Sequence, residues 1–384
     1  MKKRKFFAIA MLGLAMTFGW TSCSEDNSGE DITQSGLTDA EMDAAINQYV
    51  NGVVLPTYKT MLENVTTFKE AVDKFVSSKT QEDLDAACAA WRNARTPWEH
   101  SEAHLGGPAT DLNLDPGMDT WPLDKDGINS IIASGNFGAI EGDEEANQML
   151  RGFHTAEYLI FYNGKARVVG EKQDEVDLTS ANVLKYLSVV ASDILRDTQK
   201  LYTAWNEGLP GDDDFPTAFG QTLIKHDGTK GYTSPNSVLA FILGEEGGMA
   251  DIANEVGESK IGDPVTNYKE DPEKGLLSVE SWYSWNSIDD YAHNIEGVRN
   301  CYLGSLDGKV NENSISALVK KVDASLDTEV QQKINAAIAA IRNIPAPFRD
   351  HLDATKYPQV TEAQNACAAV VDILKTVRTK LDAN

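Results

Sequence analysis

Apolar residues recur every three or four positions along most of this chain, a spacing that predicts helices. After a capping box at Thr38-x-x-Glu41, one face carries Met42, Ile46, Tyr49, Val53, Met61, Val65, Phe68, Val72 and Phe75, with a kink expected at Pro56. Thr80-x-x-Asp83 opens a second helix whose stripe reads Leu84, Cys88, Trp91 and Trp98. Arg95 and Glu102 fall on that same stripe, so they are expected to be paired or functional rather than solvated. A third long helix is predicted around Gly152 to Phe161, and Val183, Leu187, Val190, Ile194, Leu201 and Trp205 mark a fourth. Four such helices make one bundle.

Periodicity lapses between Asn206 and Thr233, a stretch rich in Gly, Asp and Pro that suits a boundary or a long crossover. Ser234-Pro235 then starts a second helical set. Ser287-x-x-Asp290 opens a helix with Ile288, Tyr291, Ile295, Val298 and Tyr302 on one face. One further helix is predicted through Leu318, Val322, Leu326, Ile334, Ile338 and Ile341, and another, capped by Thr361, through Cys367, Val370, Leu374, Val377 and Leu381. Alternating β-branched runs are scarce, which argues against a large sheet. The expectation is an all-α protein of two packed, pseudo-symmetric helical bundles, 38–210 and 211–384, with loop-rich insertions.

Ahead of the helices, Lys2 to Lys5 and the apolar run Phe6 to Trp20 are shaped like a signal peptide, assigned to residues 1–22. Thr21-Ser22-Cys23 resembles a bacterial lipoprotein processing site, with acyl chains expected on Cys23 and residues 23–37 as the tether. Ser24-Glu25-Asp26 resembles the acidic export tag of Bacteroidetes surface lipoproteins. Outer-membrane lipid is thus the expected anchor and the cell surface the expected location, with a periplasm-facing orientation as the alternative. A formal net charge of −25 makes nucleic acid a poor partner. Cys88, Cys301 and Cys367 sit among apolar neighbours and read as buried thiols.

The best lead to chemistry is His154 with Glu157, three apart on one apolar helix. Such a pair can hold one metal ion, or simply hydrogen-bond within a core.

Taken as Gly152-x-His154-x-x-Glu157, the pair resembles the signature of the imelysin-like, or M75 peptidase, family. Other blocks agree: Trp91-x-x-x-Arg95-x-x-Trp98-x-x-x-Glu102, Gly107-Pro108, Asp119-Thr120-Trp121-Pro122, Ser284-x-Asn286-Ser287-x-x-Asp290 and Asn294-x-x-Gly297-x-x-x-x-Tyr302-x-Gly304. Thr120 stands where the family has serine. The resemblance implies two helical bundles whose facing surfaces enclose the signature, and a role in bacterial iron uptake or in proteolysis.

Glu102, His104, Asp119, Asp124 and His100 are candidates to complete a metal site, with Glu102 and Asp119 foremost; Arg95 is expected to clamp a carboxylate instead. Iron suits an imidazole and carboxylate donor set, and so does zinc. The leading expectation is a surface lipoprotein binding iron or an iron-bearing ligand, with an uptake-system protein as partner. A zinc metallopeptidase, with Glu157 as ligand or base and Arg95 facing the developing charge, is the alternative, and a metal-free structural or partner-binding module is the third reading. Ser284 and Ser287 read as helix caps or hydrogen-bond donors near Asp290. Tyr302 either reaches the seam between bundles or fills a core edge.

Overall fold

In the computed structural model the described residues are 36–140 and 145–383. The expected signal peptide, Cys23 and nearly all of the expected tether lie outside them. Thr38 accepts from the Glu41 N–H while Glu41 returns the contact to the Thr38 N–H, which starts a helix over Asp39–Tyr49. This helix runs through a π-helical turn, Val50–Val54, into Leu55–Ser78. Pro56 has no N–H to donate and its ring would crowd the preceding carbonyl in regular α geometry. The wider turn accommodates it, where the sequence predicts only a kink.

Gln81–Ser101, capped by Thr80 as expected, packs with Leu55–Ser78, which in turn packs with Ala181–Asn206. Ser287–Leu303, Ala324–Arg342 and Gln359–Asp382 form a second packed group, with Met249–Glu255 against two of them. Asp39–Tyr49 crosses over to touch Pro235–Leu243 and Ile315–Val322. The only strands among the described residues are the two-residue pair Phe161–Tyr162 and Lys165–Ala166. No helix among the described residues is long and apolar enough to cross a membrane.

Three predicted elements differ in detail. The signature helix is nine residues, Gly152–Ile160, because the chain turns extended at Phe161 to enter the small hairpin. The segment predicted as one helix through Leu326 is two, Ile315–Val322 and Ala324–Arg342. Asp323 leaves the helical region at φ −159° and caps the second with its carboxylate on the Leu326 N–H. The last helix begins at Gln359, so Thr361 lies inside its first turn.

The two helical groups meet where Gln81–Ser101 lies against Ser287–Leu303. Gly297 permits the approach, since a Cβ there would stand 2.3 Å from the His100 carbonyl oxygen. Cys88, Cys301 and Cys367 are buried free thiols, as their neighbours predict.

Candidate metal centre

Gly152 initiates the signature helix with φ +85°, and a Cβ at this position would lie 2.3 Å from the Met118 carbonyl oxygen. Only glycine allows the start of this helix to press against the end of the Asp115–Asp119 helix. That contact sets Asp119 beside His154, with 3.3 Å between Asp119 Oδ1 and His154 Nε2. The same nitrogen lies 3.2 Å from Glu280 Oε1, which arrives from the connection leading into Ser287–Leu303. Asp119, His154 and Glu280 offer three ligand atoms that all lie within 4.8 Å of one another. A metal ~2.0–2.2 Å from each of two donors separates them by roughly 3.0–3.5 Å, so the two measured edges fit a coordination polyhedron.

Glu157 stands behind the ring. Its Oε2 lies 3.1 Å from His154 Nδ1, and its Oε1 accepts both the backbone N–H and the hydroxyl of Ser284 at 2.7 Å each. Both carboxylate oxygens are thereby occupied, and Glu157 fixes the orientation of the imidazole and leaves Nε2 facing Asp119 and Glu280. Ser284 is itself held, since Arg92 donates to its carbonyl at 2.7 Å.

Around these residues charge is concentrated out of water. Arg95, fully buried, pairs with Glu99 and Asp119 and lies 3.3 Å from Asp290 and 3.5 Å from Glu280. Lys260 reaches Glu102 at 3.1 Å and Glu280 at 3.2 Å. Trp98 donates to Asp119 at 2.6 Å, and Asn294 donates to Glu99 and Glu102. Six carboxylates (Glu99, Glu102, Asp119, Glu157, Glu280 and Asp290) thus face two permanent cations and one imidazole. Burial pulls His154 down, but Asp119 and the bonds to Glu157 and Glu280 outweigh it and hold the ring up at about 10. Burial raises Glu99 and Glu102 well above the usual carboxylate range, whereas at Glu280 burial is overcome by Lys260, His154 and Arg95, which hold it low. Such a cluster attracts a further cation, whether proton or metal.

A cavity of about 400 Å³ opens onto Asp119 and Glu280 and is also lined by Glu102, Asp115, Glu255, Asp263 and Lys260. Burial, with Asp119 and Glu255 nearby, pushes Asp115 up to about 7. The cavity gives a cation an acidic route to Asp119 and Glu280.

The sequence-predicted residues divide accordingly. Asp119 and His154 are in the three-residue cluster; Glu157 and Glu102 are beside it, one as brace and the other as a partner of Lys260 and Asn294. Arg95 clamps carboxylates, as expected. Ser284 is a donor to Glu157 rather than a cap. Ser287 donates to the Glu280 carbonyl at 2.6 Å and so steadies a cluster residue, while Asn286 occupies the cap position. Tyr302 donates to Asp327 at 3.0 Å within the second helical group. Asp124 caps the Lys125–Ser134 helix, His100 faces Glu296, and His104 is buried against Tyr58. Glu280, Lys260 and Glu99 were missed. Glu280 lies outside any helix, so periodicity is silent on it, although it stands four residues before Ser284. Lys260 sits in the π-helical stretch Val256–Gly262, where the ordinary helical period fails. Glu99 could have been found one turn after Arg95.

Taken together, the fold and site define a class: all-helical proteins carrying a buried Asp-His-Glu cluster able to coordinate a metal where two helical groups meet. The chain belongs to the imelysin family of M75 peptidases, whose family model matches residues 54–377. It is 28% identical over 332 residues to iron-regulated protein A of Synechococcus elongatus, covering 86% of this chain and 84% of that protein. A solved structure from Parabacteroides distasonis, bearing the name of an iron-regulated protein A precursor, is 41% identical with a TM-score of 0.85, over 91% of this chain and 97% of that one. An imelysin-like protein of Psychrobacter arcticum, 12% identical, shares the fold at a TM-score of 0.63 over 90% of this chain and 97% of its own.

Proposed function

We propose that this chain is an iron-binding lipoprotein of iron uptake, taking iron at Asp119, His154 and Glu280 and held at the outer-membrane surface through acylated Cys23. The observation that carries the reading is the braced histidine. An imidazole fixed on one nitrogen by a doubly held carboxylate, with its other nitrogen facing two more carboxylates, is built as a metal ligand. Imidazole with carboxylates is a donor set that iron accepts readily, and the relatives named for iron regulation support iron over zinc. Bound there, the metal would replace the missing positive charge of the cluster.

Glu157, occupied on both oxygens, serves this reading better than that of a zinc peptidase, which needs a base free to take a proton from bound water. The helical sets 38–210 and 211–384 would act as two domains meeting at the site, and an uptake-system protein would receive the iron. The test is metal titration with elemental analysis of the domain lacking its leader, alongside His154→Ala and Glu280→Gln. One iron per chain in the parent and its loss in both variants are expected; equal binding in all three would end the assignment.

A further inference from the structure

Beside the acidic cavity lies a second groove that shares Trp121, Pro122 and Ser278 with it. Its volume, about 850 Å³, falls within the range of ~300–1,000 Å³ typical of sites for small organic molecules. Trp121, Trp282, Tyr283, Leu277 and Met149 supply apolar wall. Leu277 is 50% exposed and Met149 37%, two of the few large apolar side chains that the described surface leaves in water, and both open into this one groove. Exposed apolar groups gathered in a concave site mark a place where something binds.

The junction of groove and cavity carries a second observation. Trp121, which lines both, meets the His154 ring edge-on with centroids 5.0 Å apart, so the groove runs up to the cluster. Three protein donors also leave coordination positions open on a metal at Asp119, His154 and Glu280.

Charge narrows the ligand further. The groove sets four carboxylates against two lysines, and in the cavity beside it Asp119, Asp263 and Glu280 face one ammonium. A multiply anionic chelate, such as a catecholate complex, is repelled by this field, whereas a neutral or cationic one is attracted.

We infer that the groove holds the organic part of a neutral or cationic iron chelate, a hydroxamate-type oxygen donor with an apolar or aromatic body lying along Leu277, Met149 and Trp282. The chelator oxygens complete the coordination begun by Asp119, His154 and Glu280. This rests on iron binding at the cluster.

Protein loaded with ferric iron is titrated with benzohydroxamate and, separately, with acetohydroxamate, which has the same donor atoms and no ring. Formation of the visible charge-transfer band and quenching of tryptophan fluorescence report the ternary complex, and gel filtration shows whether the colour stays with the protein. Benzohydroxamate is expected to saturate at a concentration about tenfold lower than acetohydroxamate, an advantage lost in a Met149→Ser/Leu277→Ser variant that still loads iron normally. Equal affinity for the two hydroxamates, persistence of the preference in the variant, or colour eluting with the small molecules would each overturn the inference while leaving iron binding intact. Failure of the parent to load iron would instead remove the functional reading, and this inference with it.

Discussion

Ser284 grips Glu157 with two hydrogen bonds of 2.7 Å, one from its backbone N–H and one from its hydroxyl, across 127 positions of sequence. The contact couples the signature helix to the segment leading into Ser287–Leu303, so the orientation of His154 depends on both helical groups being in place.

Ser284→Ala tests that dependence. It removes one of the two donors and leaves the backbone bond. Losses of outer contacts to metal-binding histidines typically cost ~10–100-fold in affinity, and that range is expected for iron. Folding stability should fall by about 1–3 kcal/mol, the cost of removing one bond to a buried charge. Isothermal titration and urea unfolding measure the two effects; an iron affinity equal to the parent's would mean the hydroxyl is dispensable for orienting His154.

Arg95→Met is expected to be far more damaging. It strands Glu99, Asp119 and Asp290, all of which the guanidinium contacts, and removing one side of a buried ion pair typically costs about 3–5 kcal/mol. A cation placed at the cluster replaces part of the lost charge. Thermal melts with and without iron should therefore show a larger upward shift for the variant than for the parent, and a smaller shift would contradict the charge-deficit reading of the cluster.

What the sequence revealed tracks regular geometry. Thr80 and Thr38 cap where their motifs place them, and Arg95 is legible as a special residue because it interrupts an apolar stripe at helical spacing. Periodicity fails where backbone leaves the α-helix: at Asp323, which splits a predicted helix although apolar spacing runs on through it, at Lys260 in a π-helical turn, and at Glu280 in a connection. The cluster's third residue is of this last kind, contributed by a chain segment with no repeat to read. Tyr302 is a case the sequence leaves open, because its position on an apolar face is consistent with both seam and core; its partner is Asp327.

His104 gives a prediction for acid stability. It is 1% exposed, packed edge-on to Tyr58 at 4.9 Å, and burial pushes its imidazole down to about 3. In the unfolded chain the ring titrates near ~6.5. Between these values the unfolded chain binds a proton that the folded one does not, so stability is full above about 6.5 and falls as the pH drops toward about 3. The slope from this group approaches ~1.4 kcal/mol per pH unit in that window. Urea unfolding at pH 7 and pH 5 should give a smaller loss for His104→Phe than for the parent, and identical losses would show that the ring accepts a proton in the folded state.

Gly297→Ala makes a prediction whose sign is diagnostic. Inside a helix, alanine is ordinarily more stable than glycine by roughly 0.5–1 kcal/mol. Here the added Cβ would lie 2.3 Å from the His100 carbonyl oxygen, a backbone atom that cannot swing aside, so the two helices must move apart. Overpacking of this kind costs about 1–3 kcal/mol. The separation also pulls Arg95 and Glu99 on one helix, and Glu102 just past its end, away from Asp290 and Asn294 on the other, loosening the network behind the cluster. Lower stability together with weaker iron binding is therefore expected, measured by urea unfolding and metal titration. A variant more stable than its parent would show that the helices tolerate the wider spacing and that the glycine does not hold the site together.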